Sequence, residues 1–159
     1  MAVELRDLAP PDRAAIERIV RATGVFTEEE VLVALELVDA GLVPGQGSTY
    51  RFLVADDEGS VAGYACWGAT PMAEGTYDLY WIAVDPALSG RGIGAALLTA
   101  VERSVAADGG RLLVAETAGK AAYAGTRAFY LARGYREEAR IADFYREGDD
   151  KVVYVKRLP

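Results

Sequence analysis

The sequence predicts an α+β fold, a mixed αβα arrangement with a central sheet of about seven strands flanked by about four helices. Three observations carry this expectation. The hydrophobic periodicity changes along the chain in the order β-α-α-β-β-β-α-β-α-β-β, with strands consecutive in the middle and helices interleaved later. One late segment, RLLVAET, is apolar almost without interruption, as a strand covered on both faces requires. The 159 residues contain no internal repeat, linker or low-complexity tract, so they read as a single domain, 1–159.

Each element has a local reason. Residues 3–8 alternate and form a first strand. Pro10, Pro11 and Asp12 open a helix whose stripe is Ala15, Ile16, Ile19 and Val20, ending near Gly24. Thr27 and Glu30 form a capping box for a second helix, with Val31, Leu32, Leu35 and Val38 as its apolar face and Gly41 as its stop. Residues 42–50 are a loop. Residues 50–56, the turn DDEG and residues 61–72 form a hairpin, and TYDLYWIAV, Thr76–Val84, is a further strand. A glycine cluster follows, then a helix over Ile93–Ala107 stopped by Asp108-Gly109-Gly110. After the apolar strand at 111–117 comes a helix over 123–132 with Gly134 beyond its end. A final hairpin joins 135–145 to 151–157 through Glu147-Gly148-Asp149-Asp150.

Composition excludes several chemistries. No apolar run is long enough to span a bilayer, and the acidic start MAVELRDLAP does not suit a signal peptide, so a cytoplasmic protein without membrane partners is expected. A net charge of −7 argues against a nucleic-acid partner. Cys66 is the sole cysteine and histidine is absent, which removes internal disulfides, Ser-His and Cys-His pairs and imidazole-bound zinc. No metal is expected. The remaining chemistry belongs to carboxylates, tyrosines, backbone groups or a co-substrate. Cys66 reads as a small buried hydrophobe; Trp67, Tyr80 and Trp81 read as core or substrate-wall residues, with packing favoured for the two tryptophans.

The stretch DPALSGRGIGAALL, residues 85–98, sets Gly90, Gly92 and Gly94 at the start of a helix. Backbone amides bare of side chains at a positive dipole end favour an anion, commonly phosphate. On the glycines alone, a turn that needs positive φ explains them equally well. A Walker loop requires Gly-Lys-Ser/Thr, and Gly94-Ala95-Ala96 fails it. The dinucleotide pattern is met by Gly90, Gly92 and Ala95, but residues 85–89 separate it from its strand and only two helices follow.

Strand, acidic-Pro turn and SGRGIGAALL together resemble the pyrophosphate loop of the GNAT acetyltransferases, whose pattern Gln/Arg-x-x-Gly-x-Gly/Ala is matched by Gly92 and Gly94. Ser89 departs from it, standing where Gln or Arg is usual, and Arg91 offers a compensating charge. TRAFYLARGY, residues 126–135, resembles the family's later helix and its exit, and the element order agrees over essentially the whole chain. The resemblance implies the GNAT, or acyl-CoA N-acyltransferase, fold. It implies transfer of an acetyl group from acetyl-CoA to a small-molecule or peptide amine by direct attack on the thioester. It extends to homodimers, which are common among relatives.

The same resemblance assigns roles by position. Ile82, Ala83 and Val84 would present backbone groups to the pantetheine arm in a gap between parted strands. Arg91, Gly92, Ile93, Gly94, Ala95 and Ala96 would bind the pyrophosphate. Tyr123 stands where relatives often carry an asparagine facing the cofactor. Tyr130 occupies the place of a tyrosine near the CoA sulfur, and a phenol that stays protonated at neutral pH can donate to a thiolate. For the base, Asp78 lies where histone-acetyltransferase relatives use glutamate, and Glu116 at a strand end is its rival. A chain with the loop but without a working acid and base would be a non-catalytic acyl-CoA-binding sensor.

Overall fold

The computed structural model describes residues 3–44 and 49–159. Its elements are β1 (Glu4–Arg6), α1 (Asp12–Ala22), α2 (Glu28–Leu42), β2 (Arg51–Asp57), β3 (Ser60–Ala69), β4 (Thr76–Val84), α3 (Ile93–Ala107), β5 (Leu112–Ala118), α4 (Ala124–Ala132), β6 (Arg136–Arg146) and β7 (Asp149–Arg157). The strands form one seven-stranded mixed sheet in the order β1-β2-β3-β4-β5-β7-β6, so both the expected fold class and the element order are observed. Part of the expected loop at 42–50, residues 45–48, lies outside the described residues. No helix among the described residues is long and apolar enough to cross a membrane. The chain forms two compact units, Met1–Gly68 with Trp81–Arg103, and Ala69–Tyr80 with Ser104–Pro159.

In the first unit, Ile16, Ile19 and Val20 of α1 meet Val31, Leu35 and Val38 of α2 in one apolar cluster with Val54, Tyr64 and Cys66. The capping box of α2 is formed in both directions, Glu30 N–H to Thr27 Oγ1 at 3.2 Å and Thr27 N–H to Glu30 Oε1 at 2.9 Å. Two expectations for α2 need correction. Ala34, not Leu32, completes its buried stripe, and Leu32 is half exposed. Gly41 does not stop the helix, which continues to Leu42; a side chain at 41 would collide with the Phe52 ring, so the glycine serves close packing. Burial pushes the Cys66 thiol up and leaves it a small hydrophobe.

In the second unit, β5 pairs in parallel with β4 from Leu112 to Ala115 and antiparallel with β7 along its whole length. β3 ends at Ala69 rather than near Met72, because Thr70 N–H turns to Thr76 C=O, Pro71 has no N–H and Met72 takes a positive φ. The Schellman geometry at the end of α4 is complete: Gly134 N–H reaches Leu131 C=O at 3.3 Å and Tyr135 N–H reaches Tyr130 C=O at 3.1 Å. Two acidic residues of the last hairpin are engaged within it, Asp149 with Arg146 and Asp150 with Arg140 and the Asp143 N–H.

Candidate functional site

The end of β4 is tied to β3. Asp85 N–H donates to Ala62 C=O at 2.8 Å, and a Cβ on Gly63 would lie 2.7 Å from the Ala83 carbonyl oxygen. Only glycine permits that approach. Backbone groups alternate sides along a strand, so with Ala83 and Asp85 turned to β3, the peptide N–H of Val84 points away from it. Asp85 then accepts from Ala87 N–H at 3.0 Å and starts a single 3-10 turn, Pro86–Leu88.

Gly90 and Gly92 follow with φ of 81° and 77°, values that a residue with a side chain rarely adopts. Among the described residues, chain neighbours apart, no atom lies within 4 Å of a Cβ built on either. The backbone is therefore both bent as only glycine allows and open on that side. Ile93, Leu97 and Leu98 are buried and anchor the helix start. Ala96 N–H donates to Gly92 C=O at 3.0 Å. That is the first intrahelical bond, so the expected loop narrows by one residue: the amides of Gly92, Ile93, Gly94 and Ala95 precede it. Four amides at the positive end of the helix dipole suit an anion such as a diphosphate. Arg91 adds a cation, its Nη1 lying 3.9 Å from Asp57 Oδ2.

The second unit holds the remaining candidates. The β4–β5 ladder runs from Thr76↔Leu112 to Leu79↔Ala115, while β5 continues along β7 to Ala118. Asp78 is opposite Val114, and Glu116 is two residues further, so the two carboxylates share one face of the sheet. Asp78 accepts from Thr70 Oγ1 at 2.7 Å, and Glu116 pairs with Lys151 Nζ at 2.9 Å. Tyr130 belongs to the other face. Its ring stacks on Tyr154, which sits opposite Ala115, and burial pushes its phenol up, holding it protonated. Tyr123 is buried on the 3-10 turn Ala121–Tyr123, with Lys120 Nζ 5.4 Å from its ring centre. Arg127 Nη1 donates to the carbonyls of Ala118 and Lys120, both at 2.9 Å, and secures this segment.

Thus Asp78 and Glu116 are brought together on one face, and Tyr130 is set apart on the opposite one. Trp81 packs edge-on against Phe26 at 4.7 Å and Trp67 is buried, in accord with packing roles, whereas Tyr80 is exposed and does not belong to the core. The sequence reading missed three neighbours of the candidates: Thr70, Lys151 and Tyr154. Each reaches its partner through strand register or chain reversal, and no short motif encodes that.

A family profile, that of the acetyltransferase (GNAT) domain, matches residues 48–137. A protein from Desulfovibrio desulfuricans assigned to the GNAT acetyltransferases has a TM-score of 0.95 and 48% identity, over 99% of this chain and 100% of its own. The Salmonella typhimurium protein yncA, solved with its cofactor acetyl-CoA, has a TM-score of 0.76 at 21% identity over 100% of this chain and 95% of its own. The ribosomal-protein-S18-alanine N-acetyltransferase of Escherichia coli has a TM-score of 0.79 at 21% identity over 99% and 94%. The last two likenesses are of fold alone. A comparison with curated proteins finds no match.

Proposed function

We infer the chemistry from one premise: this chain belongs to the GNAT family of acetyltransferases. It is an N-acetyltransferase that moves an acetyl group from acetyl-CoA to a primary amine by direct attack on the thioester. The observation that carries this reading is the helix start at Gly92–Ala95, where four amides precede the first intrahelical bond beside glycines with open space over them. Those amides and Arg91 hold the pyrophosphate. The outward peptide groups of Ile82 and Val84, above all the N–H of Val84, hold the pantetheine arm and Tyr123 lines it, whereas the Ala83 groups expected to join them are turned to β3.

Acetyl-CoA supplies an acyl group already activated as a thioester, so the protein needs only alignment and proton transfers. The amine nitrogen bonds to the acyl carbon and the carbon–sulfur pair departs to sulfur. Tyr130 gives its phenolic proton to that sulfur. The nitrogen loses one proton, accepted by Glu116 or Asp78 directly or through water, and solvent returns a proton to Tyr130. Acid and base act on different atoms, so their placement on opposite faces of the sheet supports this division of roles.

Tyr130→Phe is the test, with free thiol followed after adding acetyl-CoA and a panel of polyamines, amino acids, aminoglycosides and peptides. CoA affinity should hold while turnover falls at least about tenfold. Unchanged turnover refutes the acid role. Thiol release with none of the amines refutes catalysis and leaves an acyl-CoA-binding module.

A further inference from the structure

We propose that Tyr154 is a positioning residue for this reaction, its ring serving as the platform that aims the Tyr130 phenol at the CoA sulfur. The inference rests on the reading of Tyr130 as proton donor. Tyr154 touches no reacting atom and acts only through its neighbour.

The main chain of Tyr130 is fixed first. Its carbonyl accepts from Arg133 N–H at 3.0 Å and from Tyr135 N–H at 3.1 Å, which locks the last turn of α4. A main chain so held still leaves the side-chain torsions to be decided, and two rings decide them. Tyr135 meets Tyr130 edge-on, with centroids 5.5 Å apart and planes at 60°. Tyr154 lies nearly parallel to it, with centroids 5.6 Å apart and planes at 26°. A swing of the Tyr130 ring must break the stack on Tyr154.

The platform is itself rigid. Tyr154 sits mid-strand in β7, opposite Ala115 on one side and Glu137 on the other, and it is fully buried. A donor carried on a short helix is thus referenced to a buried strand that is paired on both sides. Precision matters here because a misplacement of about 1 Å in a reacting group costs on the order of a hundredfold in rate. The required property is the planar ring of residue 154, and its hydroxyl is dispensable.

The test reads the acidity of the CoA thiol bound to the protein, from the ultraviolet absorbance of its thiolate, with CoA alone as probe. A phenol that donates to the sulfur stabilises the thiolate and lowers the thiol pKa. The wild-type protein should make the bound thiol about tenfold more acidic than in Tyr130→Phe. Tyr154→Met, which keeps a long apolar side chain but has no plane, should lose the same tenfold while still binding CoA. The conservative Tyr154→Phe should restore the wild-type value, and Tyr130→Phe/Tyr154→Met should equal Tyr130→Phe alone, since a residue acting only through Tyr130 has no further effect once its hydroxyl is gone. Wild-type acidity in Tyr154→Met beside a loss in Tyr130→Phe overturns the role of Tyr154. Lost acidity in Tyr154→Phe overturns it too, a result within reach even where the methionine variant does not fold. Wild-type acidity in Tyr130→Phe instead overturns the reading of Tyr130.

Discussion

Tyr64 has a fully buried side chain among Ile16, Ile19 and Val38, and its hydroxyl has no hydrogen-bond partner among the described residues. Desolvation pushes that phenol up, with Cys66 nearby adding to the shift. An unpaired buried hydroxyl costs about 1–3 kcal/mol, whereas the aromatic ring contributes burial on its own. Tyr64→Phe removes the cost and keeps the ring. The variant should be more stable by about 1 kcal/mol, read as a higher urea midpoint at unchanged slope. A loss of stability of similar size would show that the hydroxyl is hydrogen-bonded in solution. Tyr130 differs from Tyr64 in its setting: it is buried among other rings at the end of a helix, and its hydroxyl is given work by the proposed chemistry.

At the scale of elements, the end of β4 depends on Gly63. A methyl there would stand 2.7 Å from the Ala83 oxygen and 3.2 Å from the Val84 Cα, both backbone atoms, so β4 must shift away from β3. Gly63→Ala should therefore lower stability by roughly 1–3 kcal/mol and weaken CoA binding several-fold, measured by thermal melting and by titration with CoA. Unchanged CoA affinity in a destabilised variant would remove the Val84 segment from the proposed site. Which elements were legible in the sequence follows from how local their causes are. The capping box at Thr27 and Glu30, the strand Thr76–Val84 and the helix Ile93–Ala107 are encoded within a few residues and were read at their true places. Gly41 was misread because its reason is the Phe52 ring, eleven positions away in sequence. The glycine loop was legible as a helix start. The Asp78–Thr70 and Glu116–Lys151 partnerships and the Tyr154 stack were not, since register joins residues that sequence separates.

For the molecule as a whole, acid brings two opposed electrostatic effects. Lowering the pH from 7 toward the sequence pI of about 4.7 removes net negative charge and relieves self-repulsion. That relief acts over long distances and is screened within about 8 Å at physiological salt. The paired carboxylates act at contact. Arg6 donates to both oxygens of Asp12, at 2.9 and 3.0 Å, and to Asp56 at 2.8 Å. These hydrogen bonds from Arg6 hold both carboxyls below the usual range, helped by the N–H groups of Ala9 and Gly59. A carboxyl whose folded pKa is depressed stabilises fully above its unfolded value, near 3.9, and the gain is lost as pH falls through the folded value. Stability should thus stay level from about pH 7 to 5 and drop steeply below about 4, because the contact pairs outweigh the screened net charge. Arg6→Gln removes the anchor and leaves Asp12 buried without its cation, which should destabilise by about 2 kcal/mol at pH 7. Without Arg6 the Asp12 carboxyl is no longer held low, so the variant should lose less on acidification. Melting temperatures of both proteins between pH 7 and pH 2 should converge on the acid side; parallel curves would show that the Arg6 cluster is not what makes the fold acid-sensitive.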